Sequence, residues 1–357
     1  MDKLVKHSYK DDCIFLLKDL SSDIKEITIE EKESLIRAGV NYSEMISKES
    51  VPSEEIKNIF LNILDRDKEK IAYYVAKLSE LIYEEKGDNL VIVSLARAGT
   101  PYGVLIKKYL KYKYKVDIPH YSISIIRGKG IDANALKFIL KEHPQGKIQF
   151  VDGWTGKGSI TKELNKSVGI FNKKNNFNVD DSLAVISDPA KLCKVCGTRE
   201  DFGIATCCLN STVSGLISRT IHNANYIGKD DFHGAKYLEY LKIEDYSQKF
   251  IDIIKNEFEK ISIDKKDLIR EEVDTSYSVR ITKDIQDMFK INNVNNIKLS
   301  VGESARVLLR RDPQVVLVRD INNKNIEHIV QLAKEKNVKI IEYSKSHYNC
   351  IAIIKEK

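Results

Sequence analysis

The segment 148–160 reads IQFVDGWTGKGSI: an apolar run ends in Asp152, and Thr155-Gly156-Lys157-Gly158-Ser159 opens the helical stretch that follows. Glycines let backbone N–H groups close on an anion, the Thr155 and Ser159 hydroxyls add donors, and a helix N-terminus adds its dipole. The pattern predicts a phosphate cradle. It is not a Walker A loop, because Gly153 and Gly156 stand too close to the Gly-Lys step. A second turn, SLARAGT at 94–100, brings Arg97 next to Ala98, Gly99 and Thr100. A guanidinium beside backbone amides suits charge that builds up on a leaving group. In Arg127-Gly128-Lys129-Gly130 the glycines suit a lid; the alternative is a solvated basic turn. Asp188, before Pro189, is placed to read an acceptor or else belongs to an ordinary Asp-Pro turn.

These turns need a scaffold that presents them on one side. Strand-like runs at Leu90–Ser94, Tyr121–Ile126, Ile148–Asp152 and Leu183–Ile186 alternate with helical stretches, which predicts right-handed crossovers and a mostly parallel sheet. In such a sheet the site lies beyond the carboxyl ends of the strands, where all four turns fall. Upstream, Pro52-Ser53-Glu54-Glu55 starts a helix in which Ile56, Phe60, Ile63, Leu64, Ile71, Val75, Leu78 and Ile82 recur at helical spacing. Downstream of Gly234 come charged helices, then strands at Ile297–Ser300, Val315–Arg319, Val338–Tyr343 and Cys350–Ile354 around helices at Glu303–Arg311 and Lys324–Lys336. The expected parts are a helical N-terminal extension (1–88), an α/β domain (89–235), a helical connector (236–281) and a small C-terminal α/β domain (282–357).

Among 357 residues, 58 basic and 52 acidic side chains leave a net charge of +6, too weak an excess to argue for nucleic-acid binding by itself. No apolar run reaches membrane-spanning length, and the opening MDKLVKHSYKDD has no signal-peptide core. A cytoplasmic protein without a membrane partner is expected. The cysteines are Cys13, Cys193, Cys196, the adjacent pair Cys207 and Cys208, and Cys350. Adjacent cysteines seldom ligate one ion and a second C-x2-C is missing, so buried structural thiols are expected, and no metal held by side chains alone. The sequence carries no sign of an oligomeric state.

Strand, acid and Thr-Gly-x-x-Ser together resemble the phosphoribosyl-pyrophosphate (PRPP) loop of type I phosphoribosyltransferases. Arg-Ala-Gly after the first core strand is similar to the pyrophosphate loop of uracil phosphoribosyltransferases. The resemblance implies a type I phosphoribosyltransferase-like fold in which Asp152 holds ribose hydroxyls, Thr155 to Ser159 the 5′-phosphate, and Arg97 to Thr100 the pyrophosphate. Arg127 and Lys129 would form the lid, and Asp188 would meet the acceptor. The ligand implied is PRPP with Mg²⁺, held mainly by substrate and water, and the reaction is glycosyl transfer involving a base or nucleoside-like acceptor. Where that family has two adjacent acids, this chain has Asp152-Gly153.

Longer motifs are similar to one bacterial family: LLKDL (16–20), YSEM (42–45), VSLARAGTP (93–101), HYSISIIRGKGID (120–132), QFVDGWTGKG (149–158), GTREDF (197–202), CLNSTVSGLISRT (208–220) and DFHGAK (231–236). Its members are associated with tellurite-resistance stress operons, described as phosphoribosyltransferase-like with a Pelota-type tail, and also filed as cysteine protease StiP. The protease label implies an alternative, with Cys208 as nucleophile and His222 or His233 as base. No familiar protease signature surrounds Cys208. A non-enzyme alternative is a catalytically silent, ribonucleotide-sensing RNA-binding regulator. Finally, KLSVGESARVLLR (298–310), VVLVRD and EYSKSHY resemble the Pelota and kink-turn-binding ribosomal-protein fold. That implies an RNA partner met by Gly302, Glu303 and Ser304 at a helix start and by Lys345 in a late loop. Arg306 and Arg310, four residues apart, extend the same helix face. The alternative is a generic interaction domain.

Overall fold

Leu90–Ala96 turns Val91, Val93 and Leu95 to one core and Leu90 and Ile92 to another, as a parallel strand flanked by helices must. The computed structural model, which describes residues 3–270, 272–311 and 313–355, sets this strand inside a seven-stranded sheet. The order is Ile14–Phe15, His120–Ile126, Leu90–Ala96, Lys147–Trp154, Leu183–Ser187, Val195–Thr198, all parallel. Gly130–Ile131 adds antiparallel to His120–Ile126. The helices Glu54–Lys86 and Thr100–Tyr114 cover one face, and Ala133–Glu142 and Ser159–Asn175 the other. Met1 and Asp2 of the N-terminal stretch MDKLVKHSYKDD lie outside the described residues. No helix among the described residues is long and apolar enough to cross a membrane.

The expected N-terminal extension is helical chiefly in its second half. The Ser53 hydroxyl accepts the Ile56 N–H and starts a 33-residue helix, Glu54–Lys86, which is a wall of the α/β domain itself. Before it, Phe15, Leu16, Leu17 and Leu20 are buried as a near-continuous run rather than at helical spacing. Ile14–Phe15 accordingly extends the sheet edge, and Lys18–Asp19 pairs with Gly234–Ala235.

The C-terminal domain has a mixed four-stranded sheet of order Ile297–Leu299, Cys350–Ile354, Pro313–Val318, Lys339–Glu342. Cys350–Ile354 runs antiparallel to both neighbours. The helix Tyr277–Phe289 covers one face, with Ile281 and Ile285 against Val315, Leu317 and Ile351. The helices Val301–Arg310 and Glu327–Glu335 cover the other, and their apolar residues merge with Ile204, Cys207, Cys208 and Leu209 into the core of the first domain. Asp201 pins this seam. Its carboxylate accepts N–H groups from Val301 at 2.9 Å and Asn349 at 2.8 Å, at the N-terminus of the Val301–Arg310 helix where a negative charge is favoured. The protein is thus α/β, with a mostly parallel central sheet and a small C-terminal domain docked on it.

Candidate functional site

The strand Lys147–Trp154 delivers the glycine-rich loop to the rim of the sheet, where most of the loop's polar groups are already engaged. Thr155 is buried, and its hydroxyl donates to Asp188 at 2.5 Å. Asp188 is buried as well; it pairs with Arg199 and accepts the Cys193 N–H at 2.7 Å. Asp188 therefore holds the loop and has no oxygen left for an acceptor. The Gly156 carbonyl accepts the Tyr348 hydroxyl at 2.9 Å, and the Lys157 ammonium donates to the Val294 carbonyl at 2.5 Å. Burial, with Lys298 and Arg127 nearby, brings Lys157 down to about 8. Gly158, with φ of +79°, turns the chain into the helix, and Ser159 is exposed at its start. The half-buried Asp152 is pushed up to about 6 by burial.

Arg97 is likewise partnered. Its guanidinium lies 3.3 Å from Glu49 and donates to Asn210 at 3.1 Å. Ala98 lines the nearby cavity, Gly99 precedes the Thr100–Tyr114 helix, and the Thr100 hydroxyl is buried against Ser122. The RGKG segment is a hairpin turn tied at three points. The Arg127 N–H donates to Tyr42, the Gly128 N–H to Glu163, and Lys129 to Glu44 and the His222 carbonyl. An untethered lid is not what the structure shows.

The thiols sit elsewhere, in the seam. Cys207 ends the short turn Ala205–Cys207, wedged between the long Glu54–Lys86 helix and the Val301–Arg310 helix, with Cys208 next. Both are buried, with their sulfurs 3.9 Å apart. Two thiols this close do not ionise together. Hydrogen bonding from Cys208 holds Cys207 below the usual thiol range despite burial, with further help from His328 and Arg306. Contact with Cys207, together with burial, pushes Cys208 well up. His328 comes from the C-terminal domain, and both of its buried ring nitrogens lack a well-formed hydrogen bond among the described residues. A Cβ at residue 203 would fall 2.5 Å from His328 Cε1, so only glycine there lets the ring in.

The two histidines expected beside Cys208 are otherwise engaged. The His222 and His233 rings lie tilted against each other with centroids 4.5 Å apart, His233 Nδ1 lies 2.8 Å from the Ser124 hydroxyl, and burial pulls His233 down to about 3. The groups acting on Cys208 are Cys207, Arg310 and Arg306. Sequence reasoning missed His328 because it lies in the other domain, on a helix whose pattern carries no chemical signal.

The predicted RNA residues divide. Ser304 is buried, Gly302 is packed so tightly that a Cβ would meet Trp154 at 2.8 Å, and Lys345 is exposed. Glu303 pairs with Arg306 at 3.2 Å, and the Arg306 guanidinium lies 4.5 Å from the Trp154 ring centroid. Arg306 therefore looks into a cleft against the first domain, while Arg310 at the end of the helix is exposed. The cleft holds a cavity of about 270 Å³ lined by Asp152, Trp154, Lys157, Lys298, Glu303 and Arg306. A wider groove of about 760 Å³, between Lys162 and the Tyr277–Phe289 helix, contains neither thiol nor arginine.

Residues 7–255 match the profile of a family described as tellurite-like stress resistance cysteine protease StiP, and residues 276–356 match the PELOTA RNA binding domain. A relative from Acinetobacter baylyi named cysteine protease StiP is 32% identical over 357 residues, spanning 96% of this chain and 92% of its own length. These matches overturn the transferase expectation: both names are those of a cysteine protease, and neither is that of a phosphoribosyltransferase. The geometry gives a physical reason for the misreading, since the loop that looked like a free anion cradle bonds mainly to its own protein. With glycosyl transfer goes the reason to expect PRPP and its Mg²⁺.

Proposed function

Because the chain belongs to the StiP family, we propose that it is a cysteine-dependent peptidase. The observation that carries the assignment to particular residues is the buried pair Cys207–Cys208 with the imidazole of His328 beside Cys207 and engaged by no other well-formed hydrogen bond among the described residues. Cys207 is the nucleophile, because hydrogen bonding from Cys208 and the nearby His328 and Arg306 favour its thiolate. His328 takes the Cys207 thiol proton, the thiolate attacks the scissile carbonyl, and His328 passes that proton to the departing amine. His328 then takes a proton from the water whose hydroxide attacks the thioester, and returns it to the expelled Cys207 thiolate, which restores the thiol. Docking of the C-terminal domain assembles this pair and also covers it. The cavity beside Thr206 and Leu209 measures about 30 Å³, room for little more than a water, so turnover requires the seam to open.

The test is hydrolysis of an unfolded protein substrate by the full chain. Cys207→Ala and His328→Ala lower turnover by about 10³-fold, while Cys208→Ala stays within about tenfold of wild type. Loss of activity in Cys208→Ala alone would move the nucleophile by one residue. A wild-type protein that cleaves nothing would sink the peptidase reading. The Pelota match supports a second activity, RNA binding by the region that contains the Val301–Arg310 helix.

A further inference from the structure

We propose that RNA binds as a single strand inside the cleft between the two domains, gripped by arginines from both walls, and not on the outer surface of the C-terminal domain. The proposal rests on the RNA-binding activity proposed for this chain and gives it a location. Arg306 of the C-terminal domain and Arg127 of the first domain line the cavity of about 270 Å³, Arg306 and Arg97 line the small one beside Thr206, and Arg310 and Arg219 lie at the edge of this group. Arg306 and Arg97 are within electrostatic reach of Arg310, and Arg97, Arg127 and Arg311 of Arg219.

So many guanidiniums with so few acids are costly unless an anion joins them. Of the acids here, Asp152 lines the cavity within electrostatic reach of Arg306, and burial favours its neutral form, while the other two are paired. Glu49 serves Arg97 and the Ser211 N–H and hydroxyl, and Glu303 serves Arg306. Among the described residues, neither Arg219 nor Arg310 has a hydrogen-bond or ion-pair partner through its side chain. Arg306 Nε is buried without a partner. Neighbouring protein, together with Arg306 and Arg97, draws Arg310 down to about 10 although the residue is exposed.

Aromatic rings are interleaved with these cations. Arg306 covers Trp154, and Tyr42 is flanked by Arg219 at 5.5 Å and Arg127 at 5.9 Å from its centroid. Unpaired cations that track a backbone and aromatic faces that stack bases are what a single strand requires. A cavity of about 270 Å³ admits no duplex, whose recognition works by shape across wide grooves. The phosphates would pair with Arg219 and Arg310, and a base would stack where Trp154 lines the cavity.

Trp154 is the only tryptophan in the chain, so its fluorescence reports the cleft directly. The experiment titrates the full chain with a short oligouridine at two salt concentrations, following Trp154 emission and the anisotropy of labelled RNA. Binding changes the emission and weakens as salt rises. Arg219→Gln and Arg310→Gln each weaken affinity about tenfold, Arg219→Lys restores most of it, and Lys345→Gln leaves it within about twofold. If RNA binds and Arg219→Gln matches wild type, the strand lies outside the cleft and the location is wrong while RNA binding stands. If the full chain binds no RNA at low salt, the RNA reading itself fails.

Discussion

The glycine-rich loop and the arginine cleft share one rim of the molecule yet handle charge in opposite ways. In the loop, Thr155, Arg199 and the Cys193 N–H all converge on the buried Asp188 carboxylate. In the cleft, Arg219 and Arg310 have no ion pair of their own among the described residues, and the one acid that reaches Arg310, Glu49, is paired with Arg97. A motif with the composition of an anion site became structure because its partners were supplied by the same chain. Residues with no motif around them kept their charge available. Unpaired charge, more than glycine content, marks where a ligand is still needed.

That contrast can be broken from either side. The largest effect should come from Arg199→Met, which leaves the Asp188 carboxylate buried without its cation and costs roughly 3–5 kcal/mol in denaturant unfolding. A loss below about 1 kcal/mol would mean the loop is not held by this pair. Thr155→Val, which removes one hydroxyl from Asp188, should cost roughly 1–3 kcal/mol by the same measurement.

Asp152, on the border between the two regions, gives a pH test. Burial raises it from 3.8 to about 6, so the folded chain keeps a proton there that the unfolded chain has released. Its stability contribution is therefore lost as pH rises through that window. Asp152→Asn should gain on wild type between about pH 4 and 6 and hold that gain above it; a constant difference across pH contradicts the assignment. The smallest effect belongs to Arg219→Gln, which should shift stability by no more than about 0.5 kcal/mol, and upward if at all, because it relieves repulsion from Arg97. A clear loss would show that Arg219 already has what it needs.

The sheet was legible because its strands are buried on both faces, and a run as short as Leu90–Ala96, apolar but for Ser94, suits a buried strand far better than a helix. The edge strands Ile14–Phe15 and Val195–Thr198 were not, being too short to show a period. Local pattern also placed Arg306 and Arg310 on one helix face correctly, but could not say that Arg306 turns inward onto Trp154. The thiol site was hardest to read. Cys207 and Cys208 are adjacent, so nothing local tells which is ionised, and a group that adds to the contact between them, His328, arrives by domain docking. The glycine at 203 that admits its ring is one letter in the sequence and acquires meaning only from the contact.

Whether the seam between the domains is a site of thiol chemistry is tested most directly by alkylation of the native full chain with iodoacetamide across pH, with each cysteine mapped by peptide mass. Cys207 should react as a thiolate below the ordinary thiol range and ahead of Cys208, and His328→Ala should move its profile to higher pH. Earlier labelling of Cys208, or a Cys207 profile that His328→Ala leaves in place, would contradict the assignment.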